Sequence, residues 1–405
     1  MTPMSRRAAL AASLLPLAAR AQPAATTLSF WHNHPEWKDR VVAILKRFEA
    51  EHPALRIDLQ EMPTTAYTAR MQTALAAGEA PDILSLRAGG DVYATAKAGY
   101  IADLTGKLDV SSLTPGALEA SHFDGRLYGV PMMGKFTVAL FYNRDILARH
   151  GVTPPATWDE LTASCRTLKS KGVAPLICPA QDLNIPGYTY TLLASGVLGA
   201  DGFAALRKGQ RKLTDPDLLE AARFFKDLYQ FFQPGALGTA YTEGKALFAL
   251  GRGAMMVAGS ADYAGFTATN PKINVGVVPF PAPPGGKPST VTGMQSIFAV
   301  NSKTRVMPEA LTFVQWMLGK EAAQMVLDTI TLSTSRDVAP SNDRVMREVM
   351  AAAEPNDIRI WFEVPEVTRV FTTAGTQSQK LFLGELSVED FTAAVQGVID
   401  PSASW

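Results

Sequence analysis

The stretch that decides the fold is YGVPMMGKFTVALFYN, residues 128–143. Its second half, from Phe136 onward, is an apolar run typical of a buried β-strand. A glycine and a proline, Gly129 and Pro131, precede that strand, and a single cation, Lys135, lies at its start. Glycine permits unusual backbone angles and proline restricts the swing. We therefore expect a hinge at Gly-Val-Pro.

Upstream of this stretch, segments of strand and helix pattern alternate. Three apolar strands, TLSFWH, LRIDLQEM and PDILSL, are separated by segments with helical periodicity. This order predicts an α/β lobe with a mostly parallel sheet that binds ligands at its carboxyl edge. Long helices follow residue 145, and strands return in NVGVVPFPAP and MQSIFAV. Because 405 residues are too many for one compact core, we expect two lobes. The pattern of the first lobe resumes near Gln295, which predicts that the chain crosses between the lobes more than once.

The composition is that of a globular protein with no strongly charged partner. Hydrophobic residues make up 47% of the chain and charged residues 19%. The 38 Lys and Arg residues balance the 38 Asp and Glu residues. This balance predicts no binding to nucleic acid or to an anionic membrane surface. We expect a partner that is neutral or locally recognised.

The N-terminus has the pattern of an export signal. MTPMSRR is a basic segment, AALAASLLPLAA is a short apolar segment, and ARA at 19–21 matches a cleavage site. The pattern predicts a cleaved signal peptide over residues 1–21 and a periplasmic protein. SRR at 5–7 also matches the start of a twin-arginine signal, whereas Ala9 stands where a bulky apolar residue is usual. The Sec and twin-arginine routes both stay open.

The chain contains two cysteines, Cys165 and Cys178. Cys165 lies in a helical pattern and Cys178 in the strand pattern that follows it. An oxidising compartment permits a disulfide between them, and two buried free thiols are the alternative.

Several motifs together resemble one known family. The segment DGRLYGVPMMGKFTVALFYNRDILARHGVTPPATWDEL closely resembles the family 1 extracellular solute-binding proteins of ABC transporters, the carbohydrate-binding group that includes maltose-binding protein. That family shows Asp-Gly-Lys-x-Tyr-Gly-x-Pro, an apolar strand ending in Tyr-Asn, and then Gly-x-x-x-Pro-x-Thr-Trp-Asp-Glu-Leu. Here these motifs lie at 124–131, 142–143 and 151–161. RFEAEHPALRIDL, GRGAMMVAGS and ALTFVQWMLGKEAAQ continue the resemblance over nearly the whole mature chain.

The resemblance implies a two-lobed periplasmic binding protein fold of type II. The N-terminal lobe would comprise residues 22–130 and 293–330, and the C-terminal lobe residues 131–292 and 331–405. The implied function is capture of a carbohydrate (a mono- or oligosaccharide or a polyol) between the lobes, for import by membrane permease subunits. The implied protein is a monomer without cofactor, metal or enzymatic activity.

The family's cleft and the residue types together indicate the ligand contacts. Asn and Glu form the directional hydrogen bonds that sugar hydroxyls need, and aromatic rings offer an apolar face to the sugar ring. The candidates are Trp31, His32, Asn33, Glu36, Tyr67, Gly89, Gly90, Lys135, Phe136, Asn184, Tyr188, Asp262, Gly293, Gln295, Arg336 and Trp361. For Trp31, Tyr67 and Trp361 the alternative is core packing, and for Asn33 it is helix capping.

One motif departs from the family. The segment GSADY carries Ala261 where the family commonly has tryptophan after Gly-Ser. One stacking surface is therefore missing, which indicates a different or smaller ligand. Asp262 can provide a carboxylate instead.

Two rival interpretations remain. If Lys135 and Arg336 converge, the same fold would suit an anion such as glycerol phosphate; Glu36 converging with Asp262 would favour a cation. An exported metalloenzyme would use His32 and His34 as ligands, but such a site also needs further histidines and carboxylates.

Overall fold

The computed structural model describes residues 25–88, 90–114, 117–118, 121–199, 202–294, 296–329, 332–353, 357–358 and 367–399. The signal peptide expected at residues 1–21 lies outside this part of the chain. The described residues form two mixed sheets and a hairpin, with helices packed against the sheets.

The strands are β1 Thr26–His32, β2 Leu55–Glu61, β3 Ile83–Leu86, β4 His122–Phe123, β5 Arg126–Leu127, β6 Val130–Pro131, β7 Lys135–Asn143, β8 Ala174–Ile177, β9 Gly253–Gly259, β10 Val275–Val278, β11 Thr290–Met294, β12 Ile297–Val300 and β13 Asp357–Ile358.

The helices are α1 Lys38–Glu51, α2 Thr64–Ala77, α3 Gly90–Lys97, α4 Arg144–Arg149, α5 Trp158–Ser170, α6 Asn184–Leu198, α7 Gly202–Arg207, α8 Pro216–Leu228, α9 Tyr241–Ala249, α10 Tyr263–Thr269, α11 Met307–Met317, α12 Lys320–Thr329, α13 Arg344–Ala353, α14 Val367–Leu383 and α15 Val388–Gln396. Short 3-10 turns cover Pro35–Trp37, Tyr229–Phe231, Ala236–Gly238 and Ser260–Asp262. Among the described residues, no helix combines the length and the apolar character that crossing a bilayer requires.

The first sheet has the strand order β2-β1-β3-β12-β6. β1 pairs in parallel with β2 and β3, as the alternating pattern predicts, whereas β12 runs antiparallel between β3 and β6. Ile297, the first residue of β12, pairs with both Leu86 and Pro131. The carboxyl ends of β1, β2, β3 and β6 therefore lie at one edge, which we call the first edge.

The second sheet has the order β13-β11-β7-β9-β8, with β10 also paired to β7. β7 is antiparallel to β9, β10 and β11. Its first residue, Lys135, pairs with Met294 at the end of β11, and Val138 pairs with Gly259 at the end of β9. The start of β7 and the ends of β9 and β11 therefore share one edge, the second edge.

Each sheet has its own hydrophobic core, and the two cores interleave along the chain. The first core draws on residues between 28 and 133 and between 294 and 326. The second core draws on residues between 138 and 291 and between 332 and 399. In the first, the ring of Phe30 lies 4.8 Å from that of Phe298, centroid to centroid. In the second, the ring centroids of Tyr190 and Phe391 are 4.9 Å apart.

The chain passes between the sheets at three crossings. The first crossing, 132–134, joins β6 to β7; the second lies between the end of β11 at Met294 and the start of β12 at Ile297; the third lies at 332–336. In the third, the carbonyl of Leu332 accepts from Lys135 N at 2.7 Å. Two residues later, Thr334 Oγ1 donates to the Pro131 carbonyl at 2.7 Å. The third crossing thus binds β7 of the second sheet and β6 of the first.

The predicted hinge at Gly129–Pro131 is misplaced. Val130–Pro131 forms β6 within the first sheet, and the unpaired turn is residues 132–134, where Gly134 has a φ of +79°. Gly129 is instead required for close packing. A Cβ atom there would lie 2.5 Å from Ile297 Cγ2 and 2.9 Å from the Phe298 carbonyl oxygen. The glycine lets β12 approach the chain closely at this point.

Gly129→Ala tests this packing. We expect it to lower the free energy of unfolding by about 1–3 kcal/mol, because the added methyl group forces β12 away from the strand. Urea denaturation of the purified protein measures the change. Gly265→Ala in α10 is the matched control, since a Cβ there meets nothing within 4 Å. An unchanged midpoint for Gly129→Ala would contradict the packing role.

Both cysteines are free and buried. Cys165 lies in α5, and Cys178 follows β8 by one residue rather than lying within it. Burial raises the pKa of the Cys165 thiol to about 12 and raises the pKa of the Cys178 thiol further. Of the two alternatives left open by the sequence, the structure contains the two buried thiols.

We expect neither thiol to react with Ellman's reagent at pH 8 in the native protein, because burial excludes the reagent and keeps the sulfur protonated. In guanidinium chloride both thiols should react. The measurement is absorbance of the released thiolate with and without denaturant. A chain that releases none even when unfolded would contain the disulfide.

Candidate ligand-binding site

The ends of β1 and β2 are tied together at the first edge. His32 is fully buried, and its Nδ1 lies 3.2 Å from Oε1 of Glu61, its partner in the strand register. The next side chain, Asn33, is also buried, and its Oδ1 accepts from Ser85 Oγ of β3 at 2.8 Å. Asn33 therefore links two strand ends and is not a helix cap. The polar groups of this edge are held in place by one another.

Two aromatic candidates of the first edge lie in the first core. Trp31 is only 8% exposed, and the guanidinium carbon of Arg70 lies 4.7 Å from the centre of its ring. The hydroxyl of Tyr67 donates to the Trp31 carbonyl at 3.2 Å and accepts from Ser85 N at 3.0 Å. Burial raises the pKa of Tyr67. These contacts agree with the core-packing alternative for both residues.

The loop after β3 is closed by a two-pronged ion pair. Arg87 donates from Nε to Asp91 Oδ2 at 3.0 Å and from Nη2 to Asp91 Oδ1 at 3.1 Å. Asp91 lies in the first turn of α3, which begins at Gly90. A paired guanidinium and carboxylate form a directional, two-bonded contact. The pair links the residue after β3 to the first turn of α3 beside the first edge.

At the second edge, the start of β7 lies between the end of β11 and the end of β9. Lys135 pairs with Met294, and its neighbour Phe136 pairs with Gly293 in β11. Phe136 is half-buried against the second core. A Cβ atom at Gly259 would lie 3.9 Å from Phe136 Cδ2, so the ring lies beside the end of β9. The sequence candidates Lys135, Phe136 and Gly293 therefore lie together.

The end of β9 carries a cluster that we call the Asp262 cluster: Asp262, Tyr188, Tyr241 and Lys245. The Tyr241 hydroxyl donates to Asp262 Oδ2 at 2.5 Å. Lys245 Nζ lies 3.4 Å from Asp262 Oδ1 and 4.5 Å from the centre of the Tyr241 ring. Burial and, secondarily, the charge of Asp262 raise the pKa of Tyr241 and of Tyr188.

Sequence reasoning identified Asp262 and Tyr188 but missed Tyr241 and Lys245. Those two residues lie one turn apart on α9, and the backbone N–H of Tyr241 also donates to Asp182. The signal available in the sequence is an aromatic residue followed four positions later by a lysine, near the start of a helix. It is a weak one, because the contact with Asp262 depends on the tertiary fold.

The remaining candidates are placed as follows. Arg336 lies in the third crossing. Its backbone N–H donates to the Ser112 carbonyl at 2.9 Å, and its Nη2 donates to the Leu113 carbonyl at 2.6 Å. Gly89, Gln295 and Trp361 lie outside the described residues, as do the side chains of Glu36 and Asn184.

The histidine pair does not form the core of a larger ligand set in the described part of the chain. There, no group of three or more His, Cys, Asp or Glu side chains is arranged to hold a metal ion. His34 instead stacks on Trp37, with ring centroids 4.2 Å apart.

Comparison with known proteins decides the family. The model of the bacterial extracellular solute-binding proteins matches residues 34–324, more than half of the chain. The chain belongs to this family. The family match confirms the prediction of a solute-binding protein.

Individual members of the solute-binding family align over most of this chain. The multiple sugar-binding protein of Streptococcus mutans is 24% identical over 75% of this chain and 73% of its own. The melibiose/raffinose/stachyose-binding protein of Bacillus subtilis is 24% identical over 76% of this chain and 74% of its own. The GacH receptor of Streptomyces glaucescens, solved unliganded and with acarbose, superposes with a TM-score of 0.78 at 23% identity, over 92% of this chain and 97% of its own. This likeness confirms the predicted α/β solute-binding protein fold.

Trp31→Ala distinguishes a core role from a ligand-stacking role. We expect a loss of about 3–5 kcal/mol in the free energy of unfolding, because a large buried side chain is removed. Urea denaturation measures it. Arg70→Ala, which removes only the cation over the ring, should cost less than about 1 kcal/mol. A Trp31→Ala protein of full stability that has lost ligand affinity would place the indole in the binding site.

Proposed function

We propose that this solute-binding protein is the carbohydrate-capturing component of an ABC transporter. The ligand is a mono- or oligosaccharide or a polyol, bound between the first and second edges and delivered to permease subunits in the membrane. The observation that carries the proposal is the chemistry of the two edges. Both present fixed hydrogen-bonding groups, the second edge adds aromatic rings, and carboxylates on both edges have partners of opposite or titratable charge.

The charge pairing favours a neutral ligand. Glu61 faces His32 at 3.2 Å, Asp91 faces Arg87 at 3.0 Å, and Asp262 faces Lys245 at 3.4 Å. A buried ionic ligand needs an opposite charge that is not already engaged. Sugar hydroxyls need only acceptors and donors, which carboxylate, amide and ammonium groups supply. The edges therefore suit an uncharged polyhydroxyl compound better than glycerol phosphate or a polyamine.

The printed names of the similar proteins support the same ligand class. The two curated relatives are named for multiple sugars and for melibiose, raffinose and stachyose, and the GacH receptor was solved with acarbose. At 23–24% identity these names support a carbohydrate but do not select one.

The proposal includes the division into lobes and the place of action. The lobes are residues 22–130 with 293–330 and residues 131–292 with 331–405, and closure around the ligand bends the three crossings. Residues 1–21 are a cleaved signal peptide that directs the monomeric protein to the periplasm. Closure replaces water at the sugar hydroxyls with side-chain hydrogen bonds.

A thermal-shift screen tests the ligand class. The probes are raffinose, stachyose, maltotriose, xylotriose, chitotriose and mannitol, with glycerol 3-phosphate and spermidine as charged controls. A sugar at hundredfold excess over its dissociation constant should stabilise the protein by about 2.7 kcal/mol, because it binds only the folded state. Calorimetric titration of the best probe then gives its affinity. A shift with a charged control and with none of the sugars would overturn the proposal.

A further inference from the structure

We propose that Asp262 and Lys245, which we call the reading pair, together hydrogen-bond one ring hydroxyl of the bound carbohydrate and so determine which sugar is accepted. The inference rests on the proposed function and assigns a specificity role within it. It follows from how each oxygen of the Asp262 carboxylate is engaged.

The oxygen Oδ2 accepts hydrogen bonds from two groups of the protein. It accepts from the Tyr241 hydroxyl at 2.5 Å and from the backbone N–H of Gly259 at 3.0 Å. The Gly259 bond closes the 3-10 turn Ser260–Asp262 that follows β9. The side chain is 11% exposed, so these two bonds fix the carboxylate in one orientation. Tyr241 acts here as a positioning residue.

The oxygen Oδ1 is less engaged. Among the described residues, its partner is Lys245 Nζ at 3.4 Å, longer than the 2.7–3.2 Å of a direct hydrogen bond. An ammonium group donates and a carboxylate oxygen accepts, whereas a hydroxyl can do both at once. A sugar hydroxyl beside this pair can donate to Oδ1 and accept from Nζ. The pair is therefore complementary to one alcohol group.

The cluster lies where the two cores meet. The residue before Asp262, Ala261, packs against the first core, although β9 belongs to the second sheet. Ser260 Oγ accepts from Thr137 N at 3.1 Å, which ties the turn to the start of β7 beside Phe136. The half-buried rings of Phe136 and Tyr188 supply apolar surface for the C–H face of a sugar. The reading pair and these rings together form a sugar subsite.

Because the pair carries one charge of each sign, it discriminates by hydrogen bonding rather than by net charge. A sugar with a free hydroxyl at the position read by the pair fits both partners. A deoxy sugar leaves the buried carboxylate oxygen without its donor, which is costly. An O-methyl sugar also removes the donor and adds volume.

Asp262→Asn and Lys245→Met test the assignment. The asparagine keeps an oxygen for Tyr241 and Gly259 and presents its NH2 group to Lys245 and the ligand. The methionine keeps the apolar stem over the Tyr241 ring and removes the donor. We expect each variant to bind the best probe of the sugar screen about 10- to 100-fold more weakly, the usual scale of a charged hydrogen bond. Calorimetric titration measures this, and urea denaturation checks folding.

Matched controls are Asp227→Asn and Lys272→Met, which make the same changes at exposed positions. The decisive readout uses monodeoxy derivatives of the bound sugar. The derivative that lacks the hydroxyl bound by the pair should bind the wild type at least 10-fold more weakly than the parent sugar does. The same derivative and the parent sugar should bind Asp262→Asn with nearly equal affinity. A merely structural role would weaken all derivatives alike.

The outcomes separate the two proposals. If a sugar binds the wild type and both variants keep its affinity, the reading pair is wrong and the proposed function stands. The same holds if the variants weaken every derivative equally. If no sugar binds the wild type, the proposed function fails, and this inference fails with it. Should Asp262→Asn not fold, Lys245→Met decides, because Lys245 does not close the turn.

Discussion

The structure depends on backbone hydrogen bonds between chain segments that pass from one sheet to the other. Lys135 is central to them, since it pairs with Met294 on one side and bonds Leu332 on the other. Buried N–H and C=O groups need partners, and the crossing segments supply them for one another. This pairing holds the first and second edges next to each other. Any change in the angle between the sheets has to be taken up in the few residues between the paired positions.

The same requirement shapes the edges themselves. Asn33 bonds Ser85, and Asp262 accepts from Tyr241 and Gly259. Each bond gives a buried polar group a partner and restricts that group to one orientation. Groups that are already oriented lose little freedom when a ligand arrives, which favours affinity. A rigid set of donors and acceptors also discriminates between sugars that differ in one hydroxyl.

Much of the fold could be predicted from local patterns. The strand TLSFWH became β1, and Thr157 caps α5 by accepting from Glu160 N at 3.2 Å, as a threonine before a helical pattern indicates. Asp215 occupies the cap position of α8, but its carboxylate accepts from Arg211 Nε at 2.6 Å. Periodicity and caps depend on neighbours in sequence, so the sequence reveals them. A side chain's choice between competing partners does not follow from spacing alone.

The errors share one physical cause, dependence on contacts distant in sequence. Gly129 resembles a flexible residue until β12 is known to pack against it. The contact of Trp31 with Arg70 likewise depends on the fold and carries no sequence signal. Tyr241 and Lys245 carry no motif, because only the fold brings α9 to the end of β9. The family resemblance supplied the general location of the site, and the particular contacts required coordinates.

The position of β12 has a consequence for how the protein is made. β12 lies between β3 and β6, with Ile83 paired to Val300, so the first sheet stays incomplete until residue 300 has been synthesised. Ribosomes add about 5–20 residues per second, so the partner of β3 emerges roughly 10–40 s after β3 itself. During that interval β1, β2 and β3 can pair with one another, but the strand that joins β3 to β6 is still missing. The topology thus delays completion of the first sheet until most of the chain has been synthesised.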